Sequence, residues 1–370
     1  MKKSISLLLI VVLTLSMLLT GCGGGGDVAE GGDAAVAGET YTWKVQGYTA
    51  AGTYFDEIGS ELANRITEMS GGRLTIEWYA ADSIVAVAEG ANAVRDGILD
   101  GVWDYHGLYT SLNDAFALFC SSPGLFSDVI DMYTWMHYGG GIELWQEMWD
   151  AYNMNGHLVF AGMHGMEDWL WSNVPIETID DMKGLTLRMM PIMGTILAEV
   201  GGLSVAFVSG TEIVSSMERG VIDAGEYSIP ILDKTFGFQD VAKYYARPGV
   251  HQPCGTQALN INKDRWNELP DDLKKIVEVA CDAHTIYFLG KGMMDDLDAV
   301  AYFEEIGAVQ TQLTDETIET LISWVDEYYE KECPNNEWLD KVVTSQRNHI
   351  KKIAAYKDTF DMPYPEWAYE

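Results

Sequence analysis

Three kinds of hydrophobic spacing follow one another along this chain. Leu7 to Leu19 is apolar almost without a break, and Gly23 to Glu39 has no apolar period at all. From Tyr41 onward, short apolar runs alternate with stretches spaced for helices. Tyr41 to Tyr48 reads as a strand. Phe55, Ile58, Leu62, Ile66 and Met69 then recur at three and four, as on one face of a helix, and Ser70-Gly71-Gly72 stops it. Leu74 to Tyr79 alternates as a second strand. Strand, helix and strand at this length predict a βαβ unit with a parallel pair.

The same grammar returns further on. Lys183 to Arg188 is a short apolar strand pattern that ends on a cation. Ser216 to Tyr227 reads as a helix end, a glycine stop at Gly220 and a strand leading to Glu226. The segment Val94 to Gly101 resembles Met217 to Ala224, with Gly97 and Asp100 matching Gly220 and Asp223. This weak repeat suggests two lobes on related plans facing each other across a cleft, a preferred place for ligands. From about Pro270 to Phe360 the pattern is helical. Acids at Asp271-Asp272 and at Asp315-Glu316 open helices, and Ile318, Leu321, Ile322, Trp324, Val325 and Tyr329 are spaced as core.

The first segment does not belong to that fold. Lys2-Lys3, the apolar run and Leu19-Thr20-Gly21-Cys22 read as a secretory leader over 1–21, too short for a comfortable membrane span. Residues 22–39 then form a Gly-rich flexible tether. A formal net charge of −33 makes nucleic acid and anionic lipid poor partners, so any anionic ligand needs a local positive site. Cys120, Cys254, Cys281 and Cys333 have no metal-like spacing; buried thiols and one or two disulfides both remain open.

No HExxH, GxSxG, Walker loop or GxGxxG occurs. Gly139-Gly140-Gly141 enters a helix, where close packing is the expected role. Arg188 is the sharpest candidate, because its guanidinium can pair with a carboxylate in a fork and its flanks Leu185, Leu187, Met189 and Met190 are apolar. Glu226-Tyr227 is the second. A carboxylate beside Arg188 either neutralises it or works with a bound cation, for which hard oxygen ligands suit Na⁺, Ca²⁺ or Mg²⁺. Trp169, Trp171, Tyr109, Tyr244, Tyr245 and His251 are candidates for an aromatic wall.

These segments together resemble the solute receptors of the tripartite (TRAP) transporters, the DctP-like family, and within it the branch that binds 2-oxo acids and related monocarboxylates. The matching stretches are Lys183 to Arg188, Glu218 to Tyr227, Tyr138 to Leu144, Lys243-Tyr244-Tyr245 with Pro248-Gly249, and Ala355 to Phe360. Cys22 resembles the lipidated cysteine of bacterial lipoproteins, which implies an extracytoplasmic protein held to its membrane by lipid.

The resemblance implies an α/β, two-lobed periplasmic-binding-protein-like receptor with a ligand cleft between lobes and a helical C-terminal region. Lobe I would span roughly 40–165 plus a later return segment; lobe II, roughly 166–255 plus part of the C-terminal helices. It implies a small organic acid as ligand, TRAP permease subunits as partners, no catalysis and no required cofactor. Substrate contacts would come from Arg188, Trp169, Tyr109, Glu226, Tyr227, His251 and Gln252, with Arg188 gripping the carboxylate. Glu226 and the Tyr227 carbonyl would hold a bridging Na⁺ or Ca²⁺. Some relatives dimerise through a long C-terminal helix, which the tail here could also do.

The chain departs from the family at Gly165-Met166-Glu167-Asp168, where relatives carry a glutamine, and at Val250-His251-Gln252, where they carry Trp-Trp-Glu. Glu167 or Asp168 could rebuild the cation site. Two other function classes compete: a secreted hydrolase or lyase using Glu226 and His251, and a sensory or adhesive lipoprotein.

Overall fold

The computed structural model describes residues 38–198, 203–205 and 209–360. The expected leader (1–21), Cys22 and all but the last two residues of the expected tether (22–39) lie outside them. The chain begins with β1 (Tyr41–Gly47), α1 (Tyr54–Met69), β2 (Leu74–Tyr79), α2 (Gly90–Arg95) and β3 (Gly101–Asp104). It continues through α3 (Val129–Tyr138), α4 (Gly141–Ala151) and β4 (Gly156–His164). A second set follows: β5 (Leu170–Ser172), α5 (Ile179–Met182), β6 (Thr186–Arg188), α6 (Pro191–Ala198), β7 (Leu203–Val205), α7 (Gly210–Glu218) and β8 (Ala224–Gly225). Then come α8 (Pro230–Phe236), α9 (Phe238–Val241), β9 (Tyr244–Arg247), β10 (Gly255–Asn262) and α10 (Lys263–Glu268). The chain finishes with α11 (Asp271–Glu305), β11 (Val309–Gln312), α12 (Asp315–Glu332) and α13 (Glu337–Phe360).

Two sheets result. One has the order β2-β1-β3-β10-β4, the other β11-β9-β5-β8-β6-β7. β1 pairs in parallel with β2 and β3, as the strand–helix–strand spacing predicts. β10 returns between β3 and β4 and is antiparallel to both. The segment 165–169 carries the chain from the first sheet to the second, and 248–254 carries it back. The two-lobed α/β architecture is therefore present.

The weak sequence repeat has a structural meaning. Gly97 and Gly220 both adopt positive φ, at 72° and 67°, ending their helices in the left-handed region that glycine enters at little cost. Beyond them, Asp100 accepts a hydrogen bond from the Lys44 N–H at 2.8 Å, and Asp223 accepts one from the Thr186 N–H at 2.7 Å. Each aspartate thus fastens a parallel neighbour strand, Asp100 at the middle of β1 and Asp223 at the start of β6. The strand expected from Val221 shrinks to Ala224–Gly225, and Val221 is exposed, because this turn occupies Val221 to Asp223.

The helical tail is used to close the core. α11 packs against α1 and β4 on one sheet and against α8 on the other. On α12, Leu321, Val325 and Tyr329 are buried while Ile322 faces solvent, as a one-sided helix requires. Tyr329 donates to the Pro123 carbonyl at 3.0 Å, and Gln346 on α13 donates to the Leu118 carbonyl at 2.7 Å. Gly141 opens α4 packed onto the Met136 backbone, so the glycine run serves close approach. Cys120, Cys254, Cys281 and Cys333 are free thiols. No helix among the described residues is long and apolar enough to cross a membrane.

Candidate functional site

Strand direction decides which residues meet. β6 and β8 are parallel neighbours, so Arg188 and Glu226 leave the same edge of the second sheet. β5 is antiparallel to both β8 and β9, so the run into it (Glu167 to Trp169) and the run out of β9 (Pro248 to Gln252) reach that edge too. On the first sheet, Tyr48 follows β1, Tyr105 follows β3 and His164 ends β4, all pointing the same way. Ligands of open α/β sheets collect at such carboxyl ends. A cavity of about 460 Å³ lies there, lined by Tyr48, Tyr105, Glu167, Arg188, Tyr227 and Gln252 among others.

Arg188 is 6% exposed, deep enough for its charge to need partners. Its Nη1 lies 2.6 Å from Glu226 Oε2 and donates to the Glu226 carbonyl at 2.7 Å. The other carboxylate oxygen, Oε1, accepts from the Met190 N–H at 2.8 Å. The cation and acid anticipated at two strand ends are therefore a buried ion pair, of which Arg188 lines the cavity and Glu226 does not.

A second acid stands beside it. Glu167 Oε1 accepts from Gln252 Nε2 at 2.6 Å, and Gln252 Oε1 in turn accepts from the Tyr105 hydroxyl at 2.9 Å. His251 Nε2 lies 3.4 Å from Glu167 Oε2 and 3.8 Å from Glu226 Oε2. Burial, reinforced by the Glu226 charge, pushes the Glu167 carboxyl well above the usual carboxylate range. Burial also pushes the His251 imidazole down to about 4, against the pull of Glu226. The loop carrying His251 packs directly against the Glu167 backbone. A Cβ on Gly249 would come within 2.2 Å of the Glu167 carbonyl oxygen, so only glycine permits this approach.

The remaining candidates divide. Tyr227 and Gln252 line the cavity, Tyr227 with its ring edge-on to Phe236. Trp169 is fully buried behind His251, at 5.5 Å between ring centroids, and does not reach the cavity wall. Tyr109 is likewise buried away from it and donates to Asp104 Oδ2 at 2.5 Å. Trp171 and Tyr245 stack on each other in the core of the second lobe. Asp168 is occupied by Arg247, whose Nε lies 2.5 Å from Oδ1, so of the two replacement acids only Glu167 faces the cation position. The aromatic wall is built instead by Tyr48, Phe55, Tyr105, Tyr227 and Phe236. The signal for Tyr48 and Tyr105 was available, because each directly follows a parallel strand.

The model of the bacterial extracellular solute-binding protein family 7, DctP, matches residues 47–334. The chain belongs to that family. Its members are extracytoplasmic receptors, and the present chain has their fold. Among curated relatives, a monocarboxylate 2-oxoacid-binding periplasmic protein of Nostoc sp. is 30% identical over 225 residues. That match spans 60% of the chain and 60% of the relative. Among solved structures, a TRAP periplasmic solute-binding protein from Pseudoalteromonas atlantica with bound sodium and pyruvate gives a TM-score of 0.80 at 22% identity, covering 87% of this chain and 97% of that one. One from Colwellia psychrerythraea with bound calcium and pyruvate gives 0.80 at 24%, with the same coverage.

Proposed function

We propose that this DctP-family protein is the extracytoplasmic receptor of a TRAP transporter, that it binds a small monocarboxylate of the 2-oxo or 2-hydroxy type, and that it hands the ligand to a membrane permease. The observation that carries the reading is the Arg188 guanidinium on the wall of a cavity at the carboxyl ends of both sheets. An arginine fork suits a carboxylate, and Gln252 and Tyr105 line the same cavity as polar partners for the oxygen on the neighbouring carbon. Pyruvate in two structural relatives and 2-oxo acids in the Nostoc relative support the same ligand class.

The Glu226 carboxylate already neutralises Arg188, so an anion enters most easily with a cation that bridges it to the protein. Sodium and calcium accompany pyruvate in the two relatives. Binding without turnover fits the tethering of Glu226 by Arg188 and Met190, which leaves the Glu226–His251 pair poorly arranged for acid–base work. Lipidation at Cys22 and pairing through the C-terminal helix complete the proposal. Titration calorimetry with keto, hydroxy and dicarboxylic acids, run with and without Na⁺ and Ca²⁺, tests the core of it. A 2-oxo or 2-hydroxy acid is expected to bind best and to be recovered unchanged; no binding by any acid sinks the reading.

A further inference from the structure

Each of two buried carboxylates has one oxygen held by a hydrogen bond and the other turned toward the same nitrogen, the Glu226 Oε2 being shared with Arg188 Nη1 at 2.6 Å. Glu167 Oε1 is taken by Gln252 Nε2, and Glu226 Oε1 by the Met190 N–H. Their second oxygens, both Oε2, lie 3.4 Å and 3.8 Å from His251 Nε2. One ligand atom from each of the three residues falls within 4.8 Å of the others, and all three residues are at most 4% exposed. Outer hydrogen bonds that fix one oxygen and aim the other are how proteins orient metal ligands. The edge of a tetrahedron around an ion with bonds of 2.0–2.2 Å is about 3.4 Å, close to these separations.

We propose that Glu167, Glu226 and His251 form a binding site for a divalent first-row transition metal of the Zn²⁺ class, open toward the cavity. The donor set makes the choice. Sodium and calcium take oxygen ligands, whereas an imidazole nitrogen suits zinc and its neighbours. Charge points the same way. As metal ligands both acids are ionised, so one arginine faces two carboxylates and an anionic ligand, which leaves two negative charges; a divalent ion cancels both, and sodium cancels one. Glu167, Arg188 and Gln252 line the cavity, so the ion's remaining position faces the place where a ligand carboxylate would sit. The ligand side of this inference rests on the carboxylate-receptor reading; the three protein ligands do not.

The experiment uses the mature receptor stripped with EDTA and titrated separately with ZnCl₂ and CaCl₂, with pyruvate as the carboxylate probe. The expected result is one Zn²⁺ per chain, bound at least tenfold more tightly than Ca²⁺. His251→Ala should weaken Zn²⁺ at least tenfold while moving Ca²⁺ less than threefold, with melting curves establishing that the variant is folded. If it does not fold, His251→Gln and the visible absorption of the Co²⁺-loaded wild type, which reports nitrogen ligation, decide instead. Equal or tighter Ca²⁺, or Zn²⁺ binding indifferent to His251, overturns the metal site. Protein that binds pyruvate through Arg188 but takes up no Zn²⁺ overturns the metal and leaves the receptor reading standing. A single His251-dependent Zn²⁺ with no carboxylate binding does the reverse.

Discussion

Arg188 and Glu226 illustrate how much a single side chain depends on where its strand ends. The arginine is buried, paired at 2.6 Å and on the cavity wall, so replacing it removes a charge-assisted donor and strands an acid. Arg188→Ala is expected to weaken the best carboxylate by about 1.5–3 kcal/mol or more, the scale of a hydrogen bond to a charged group. Calorimetry reads this directly, and unchanged affinity removes Arg188 from the binding role. The arginine and Glu226 were legible in the sequence, since each closes an apolar strand pattern. Glu167 stood there only as a departure from a family pattern, and His251 as one of several candidate aromatics. Trp169 and Tyr109 were read as contacts because they are large aromatics near the motifs, but both turn into the core.

At the level of elements, the junction of α8 and α11 carries a titration that can be measured. Asp296 on α11 accepts from the Ile231 N–H at 3.0 Å, capping the first turn of α8, whose own N-cap residue Ile229 makes no side-chain bond. Burial pushes this carboxyl up to about 7, opposed by the Ile231 hydrogen bond, with Asp168 raising it further and Arg247 lowering it. Because the folded state holds the proton more tightly than the unfolded chain, this contribution is complete below the ordinary aspartate range. It is lost as pH rises toward and through about 7. Asp296→Asn keeps an oxygen acceptor and cannot titrate. Its melting temperature should therefore fall less between pH 4 and 8 than that of the wild type, as followed by scanning calorimetry. Parallel curves would remove Asp296 as the source. Helix periodicity made α1 and α12 readable to within a few residues, and the acids after Pro270 marked the start of α11, whereas the two-residue β8 was overread because its apolar run is spent in a turn.

For the molecule as a whole, the cavity draws residues from both sheets, so a ligand there is held by both lobes at once. Binding to the folded state alone contributes about 2.7 kcal/mol at a ligand concentration of 100 times Kd. A saturating 2-oxo acid should raise the melting temperature by several degrees and reduce the radius of gyration in solution scattering. A higher melting temperature with no compaction argues against a closing cleft. The net charge of −33 gives this a context: the ligand is an anion approaching an acidic protein, and only a local positive site can receive it.

The sequence by itself determined the first strand–helix–strand unit and the starts of the C-terminal helices, suggested two lobes on related plans, and put an arginine and a glutamate at the ends of apolar strand patterns. Those are local facts, fixed by spacing within a few turns of chain. Tertiary structure alone decided that Glu167 and His251, 84 positions apart, meet at 3.4 Å, and that Gln252 and Tyr105 complete their surroundings. These residues sit at strand ends or in the connections between sheets, where no periodicity operates. Their positions follow from the antiparallel placement of β5 between β8 and β9 and from the close approach that Gly249 allows. Hydrophobic pattern reports which face of an element is buried, but it does not report which element lies opposite.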